Sequence, residues 1–135
     1  MSNPNDVIAT VRQLAIENND IAAVWLYGSR SKGTAQVHSD YDIAVAFYDH
    51  QLSIMDKYLR PNMLAIDWCE RLGLMSDMLS IVDINSAPIY LAYDIVETGK
   101  LLYGQDNPRV WQEQDRIRSQ FEFQLIENKR HDRVE

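Results

Sequence analysis

Cysteine is almost missing from this chain of 135 residues. Cys69 stands alone, which excludes an internal disulfide framework and a zinc cage built on cysteines. Positive charge is scarce as well. Thirteen lysines and arginines face twenty acids, giving a net charge of −7. That balance argues against holding nucleic acid by bulk electrostatics, so no direct nucleic-acid binding is expected. No stretch approaches the ~20 apolar residues of a membrane span, and no membrane association is expected. The polar start, Met1–Asp6, runs into a periodic apolar pattern and not into a signal-peptide core, which makes the cytoplasm the expected compartment. Linkers rich in Gly, Ser or Pro, internal repeats and low-complexity tracts are also lacking, so residues 1–135 read as a single domain. What remains is the balance of a globular chain, 46% hydrophobic and 24% charged.

The apolar pattern predicts alternating helices and strands. Val7, Ile8, Val11, Leu14 and Ala15 share a helical face, with Asp6 as the expected N-cap. Ile21–Tyr27, "IAAVWLY", is apolar on both faces and too short for a helix, so it reads as a buried strand. A second such strand runs from about Tyr41 to Tyr48. His50–Leu74 looks helical, and Pro61 is expected to break or kink it. Leu79–Ile84 is a third strand. Ser86 and Pro88 open a helix that stops at Gly99, and Leu101–Tyr103 adds a short strand. From Pro108 a long helix carries Val110, Ile117, Phe121 and Leu125 on one stripe, with Phe123 and Ile126 on the other side. Trp25, Trp68 and Trp111 are expected in the core. The order predicts an α/β (α+β) fold, a small mixed sheet with flanking helices.

Chemistry concentrates between Gly28 and Asp42. Gly28-Ser29 ends a buried strand just before a helical turn, where glycine allows a tight exit and close approach of a ligand. Free amides and the Ser29 hydroxyl suit a phosphate there, with Arg30 and Lys32 adding positive charge. Asp40 and Asp42, two apart at a strand entry, point to one face and can converge on a hard cation such as Mg²⁺. Small Ala44 and Ala46 on the same face would leave room for a ligand. Asp83 interrupts the third strand and joins the pair if the two strands are neighbours. Each part alone has a plainer reading. Gly-Ser is a turn, Ser39-Asp40 is a turn before the strand with Asp42 a partly exposed edge residue, Arg30 and Lys32 are solvated charge, and Asp83 caps the next helix or pairs with an arginine. The loop is no Walker motif, since Thr34 and not lysine follows Gly33.

Gly28-Ser29, ten residues and Asp40-Tyr41-Asp42 form the arrangement G-S-x10-D-x-D. It resembles the signature of DNA polymerase β-like nucleotidyltransferases. The fuller string "YGSRSKGTAQVHSDYDIAV" (Tyr27–Val45) resembles the minimal nucleotidyltransferases (MNT), the antitoxin halves of HEPN–MNT toxin–antitoxin pairs. "ETGKLLYG" (Glu97–Gly104) extends the likeness, whereas Tyr48–Met78 has no recognisable counterpart. The resemblance implies a polymerase β-like fold and a protein adenylyltransferase. Gly28 and Ser29 would hold the β- and γ-phosphates of ATP, and Arg30 would contact triphosphate or acceptor. Asp40 and Asp42 would bind two Mg²⁺ ions, with Asp83 as third carboxylate on the catalytic metal. AMP would pass to a tyrosine hydroxyl of a HEPN ribonuclease toxin, held in a hetero-oligomeric complex. The alternatives are a non-catalytic antitoxin that acts by occlusion and a small-molecule nucleotidyltransferase.

Overall fold

The computed structural model describes residues 4–134. Ile21–Tyr27 (β1) and Tyr41–Phe47 (β2) form an antiparallel pair at the centre of one mixed sheet. Leu79–Asp83 (β3) runs parallel to β2, and Lys100–Tyr103 (β4) antiparallel to β1, for an order β3-β2-β1-β4. A parallel neighbour needs a long crossover. Ile54–Leu72 (α3) supplies it between β2 and β3. The antiparallel β1–β2 connection holds only the short helix Ser29–Lys32 (α2) and a loop.

Both faces of the sheet are covered, which is why its central strands are apolar on both sides. Pro4–Glu17 (α1) and α3 pack on the face of Val24, Leu26, Ile43 and Val45. Ile89–Thr98 (α4) and Pro108–Val134 (α5) cover the face of Trp25, Ala44 and Ala46. Ala44 and Ala46 are fully buried there, so the small side chains admit helices and not a ligand.

Several sequence expectations shift. Asp6 lies inside the first turn of α1 and not before it. Pro61 does not interrupt α3, because both helix ends are fixed independently. The Ser53 hydroxyl accepts the Asp56 amide at 3.1 Å, and Gly73 closes the other end in the left-handed conformation. Ala65, Trp68, Cys69 and Leu72 bury one side against the sheet, and that packing overrides the proline. Trp25 and Trp68 are core residues, but Trp111 is 64% exposed. The buried side of α5 is set by Val110, Glu113 and Ile117, and Trp111 turns away from it.

Arg60 holds the far end of the sheet. Its Nη1 donates to Asp20 Oδ2 at 3.0 Å and to the Asp49 carbonyl at 2.8 Å. Its Nη2 lies 3.6 Å from Asp83 Oδ2, and the guanidinium stacks 4.0 Å from the centre of the Phe47 ring. Replacing Arg60 by methionine keeps the stem but leaves the buried Asp83 carboxylate uncompensated. The expected loss is about 3 kcal/mol of unfolding free energy, read by urea denaturation at neutral pH. A loss under ~1 kcal/mol would show that Asp83 finds other compensation.

Candidate active site

The site is built where β1 ends and β2 begins. Tyr27 and Asp42 are register partners on the antiparallel pair, so the last residue of β1 faces the first acid inside β2. Gly28 follows with φ 74° and ψ −153°, a backbone state for which glycine is suited. Its carbonyl accepts the Ser31 and Lys32 amides, both at 3.1 Å, which starts α2. The amides of Ser29 and Arg30 head this turn and are not used within it. A Cβ on Gly28 would stand 2.5 Å from Asp42 Oδ2. Gly28 and the Asp42 carboxylate are therefore in direct apposition.

Asp40 lies just outside β2 and is exposed, while Asp42 is half-buried. No side-chain hydrogen bond or ion pair is found for either carboxylate among the described residues. Burial raises the pKa of Asp42, and the neighbouring Asp40 raises it further. The Tyr27 phenol is pushed up to about 12 by burial, then by Asp42 and Asp40. It stays protonated at neutral pH and offers a donor beside the acids, not a nucleophile. Two close, unneutralised carboxylates with hard oxygen donors fit a divalent cation such as Mg²⁺.

This electrostatics has a sign that can be read in stability. A carboxyl whose folded pKa is raised adds stability below its unfolded pKa and loses it as pH rises through the folded pKa. At neutral pH the cation-free chain therefore carries the cost of burying the Asp42 charge and, after it, the repulsion from Asp40. Added Mg²⁺ is expected to raise Tm at pH 7. The gain should shrink as pH falls into the carboxylate range, where protons compete for Asp42. Scanning calorimetry in Mg²⁺ and in EDTA measures it, and an equal Mg²⁺ gain in Asp42→Asn would refute it.

Asp83 does not join the pair. It is in register with Val45 and shares the face of Tyr41, Ile43 and Ile81, opposite to that of Asp42. It also lies three residues farther along the sheet, roughly 10 Å. Its Oδ1 accepts the Asn85 amide at 2.9 Å and its Oδ2 faces Arg60. The plainer alternative, a turn carboxylate paired with an arginine, describes it. The β3 residue beside Asp42 is Ser80, which is exposed. No group of three or more His, Cys, Asp or Glu arranged for a metal occurs among the described residues.

Arg30 also differs from expectation. It stacks 4.0 Å from the centre of the Tyr41 ring, and Tyr41 belongs to the face opposite Asp42. Its Nε and Nη2 donate to the Ser39 carbonyl at 3.1 and 2.6 Å. Nη2 also reaches the Gln36 and Val37 carbonyls at 3.4 and 3.3 Å. The guanidinium is thus turned to the loop and away from the carboxylates. Tyr27 escaped sequence reasoning, although its place before Gly28 was a usable signal. So did the ties of α2 to α4: Ser31 Oγ to the Thr98 carbonyl at 3.1 Å and Lys32 Nζ to Asp94 at 3.5 Å.

Comparison with known proteins extends this geometry. The family model "Polymerase beta, Nucleotidyltransferase" matches residues 9–108. A protein adenylyltransferase MntA from Aphanizomenon flos-aquae is 28% identical over 116 residues, covering 82% of this chain and 75% of that protein. A toxin–antitoxin crystal structure with AMP-PNP superposes with a TM-score of 0.70 at 24% identity, covering 98% of both chains. The MNT antitoxin in complex with a tri-AMPylated HEPN toxin of Shewanella oneidensis gives a TM-score of 0.66 at 22% identity, covering 95% of both chains. No helix among the described residues is long and apolar enough to cross a membrane.

Proposed function

The chain belongs to the polymerase beta nucleotidyltransferase family, and from that premise we infer that it is an antitoxin that transfers AMP from ATP to a tyrosine hydroxyl of a HEPN ribonuclease toxin. The observation that carries this reading is the unpartnered Asp40–Asp42 pair set directly against Gly28. The adenylyltransferase relative and the complexes with HEPN toxins supply the substrate class. The reaction takes place in the cytoplasm, where ATP is available.

Gly28 and the amides that head α2 hold the triphosphate, and the Ser29 hydroxyl donates to it. Asp40 and Asp42 would hold the divalent cations, Mg²⁺ by their oxygen chemistry. Bound there, the cations would offset the charge of the triphosphate and of the transition state. Gly28 keeps the backbone close enough for phosphate and carboxylates to meet on one side. Tyr27 walls the acids off with a neutral phenol. The toxin's tyrosine oxygen attacks the α-phosphorus, a phosphodiester forms, the bond to the β-phosphate breaks, and pyrophosphate leaves. The phenol proton is released as that bond forms. The protein's share is positioning and charge placement.

The test mixes the chain with its cognate toxin, ATP and Mg²⁺ and records intact masses. AMP increments on the toxin, absent with Asp40→Asn, are the expected result. A stable complex without any mass gain would overturn the enzymatic reading in favour of occlusion.

A further inference from the structure

Asp40 is the less secured of the two acids. It precedes β2, so no ladder bond of that strand fixes it, and its carboxylate has no partner among the described residues. The neighbouring Tyr41 is buried, and its amide donates to the Met78 carbonyl at 2.8 Å. Before Asp40 the chain forms a closed turn. The Ser39 amide donates to the Gln36 carbonyl at 3.1 Å, and the Gln36 amide to Ser39 Oγ at 2.8 Å. What ties this turn to the phosphate loop is Arg30. One guanidinium reaches the carbonyls of Gln36, Val37 and Ser39 while lying flat on Tyr41.

We propose that Arg30 is a positioning residue for nucleotidyl transfer, a clamp that sets the Asp40 carboxylate relative to Gly28-Ser29 and Asp42. The proposal rests on the adenylyltransferase reading for its activity readout alone. Arg30 sits on α2, one residue after Ser29, so a single side chain couples phosphate loop and acid loop. Its planar fork is what this needs. A lysine carries the charge, but a single ammonium cannot bond three spread carbonyls and stack on a ring at once. The clamp works from the face opposite the carboxylates, through backbone carbonyls. It touches neither substrate nor metal.

Arg30→Lys and Arg30→Met separate this role from direct phosphate binding. Hydrogen exchange of residues 34–41, measured on the chain without ATP or toxin, should rise in both variants. AMP transfer should lose about 10–100-fold in kcat, since small displacements of a reacting group cost that much. The Mg²⁺ concentration for half-maximal activity should rise severalfold, with KM for ATP at saturating Mg²⁺ within about threefold of wild type. A wild-type rate in Arg30→Lys would overturn the proposal. So would Arg30→Met with unchanged exchange and its loss confined to KM for ATP, which is the behaviour of a phosphate contact. If the wild-type chain transferred no AMP at all, the functional reading would fail. Exchange would still decide whether Arg30 holds the loop.

Discussion

Asp42→Asn is expected to lower AMP transfer by about 10³-fold or more while the fold stays intact. The side chain keeps its shape, so the loss comes from charge. An acid about 4 Å from a cation is worth roughly 4 kcal/mol per unit charge pair at an effective dielectric of 20. That energy converts to about three powers of ten in rate. The stability change has the opposite sign. Asp42 is held half-buried beside Asp40 with a raised pKa. Removing its charge relieves that repulsion, so the cation-free variant should melt slightly above the wild type at neutral pH. A single preparation assayed for AMP transfer and for Tm in EDTA checks both halves. A variant that loses activity by simply unfolding would contradict this account, as would one that keeps more than a tenth of the wild-type rate.

The centre of the candidate site is legible in the sequence because it is local. Two buried strands, Ile21–Tyr27 and Tyr41–Phe47, are visible as apolar runs. Gly28, Ser29, Asp40 and Asp42 are fixed by where those runs stop and start. Pro88 and Gly99 likewise bracket α4, although Gly99 is extended (φ −73°) and is required by the close approach of the Ile95 and Leu26 carbonyls, not by a left-handed turn. Asp83 was misplaced because its face depends on strand register, which composition does not encode. The pairing Asp42–Ser80 puts even-numbered β3 residues with the site and odd-numbered ones behind the sheet. Its partner, Arg60, comes from a helix whose crossover path brings it across the sheet end. The contacts of Arg30 were not legible for a related reason. A positive charge beside a phosphate loop suggests an anion, yet the nearest demand for donors is the loop's own carbonyls. Both are charged side chains that answer backbone or buried groups which only the assembled fold reveals.

Gly28→Ala should remove activity as thoroughly as loss of an acid, and Gly33→Ala provides the control that shows why. Both glycines have positive φ, 74° and 75°, but Gly33 is left-handed helical (ψ 14°), where alanine costs about 1 kcal/mol, whereas Gly28 (ψ −153°) occupies a region nearly confined to glycine, where alanine costs more, up to about 3 kcal/mol. They differ also in what the new methyl meets. At Gly33 nothing lies within 4 Å. At Gly28 the Cβ would fall 2.5 Å from Asp42 Oδ2. A carboxylate is the free end of a side chain and can swing aside, so the fold survives. In swinging aside, however, Asp42 leaves its place against Gly28, which the proposed reaction needs for a cation to sit beside the triphosphate. Gly33→Ala is therefore expected to transfer AMP within about threefold of wild type at a temperature where it is folded, because strain alone leaves the acids in place. Gly28→Ala is expected to fall by at least about 10²-fold, the scale on which an ångström of misplacement acts. Its Mg²⁺-dependent gain in Tm should also vanish, since the displaced carboxylate no longer faces Asp40. A folded Gly28→Ala chain that keeps its Mg²⁺-dependent gain in Tm would show that the carboxylate has not moved, assign the loss to backbone strain and refute the direct apposition of Gly28 and Asp42 as the element that matters.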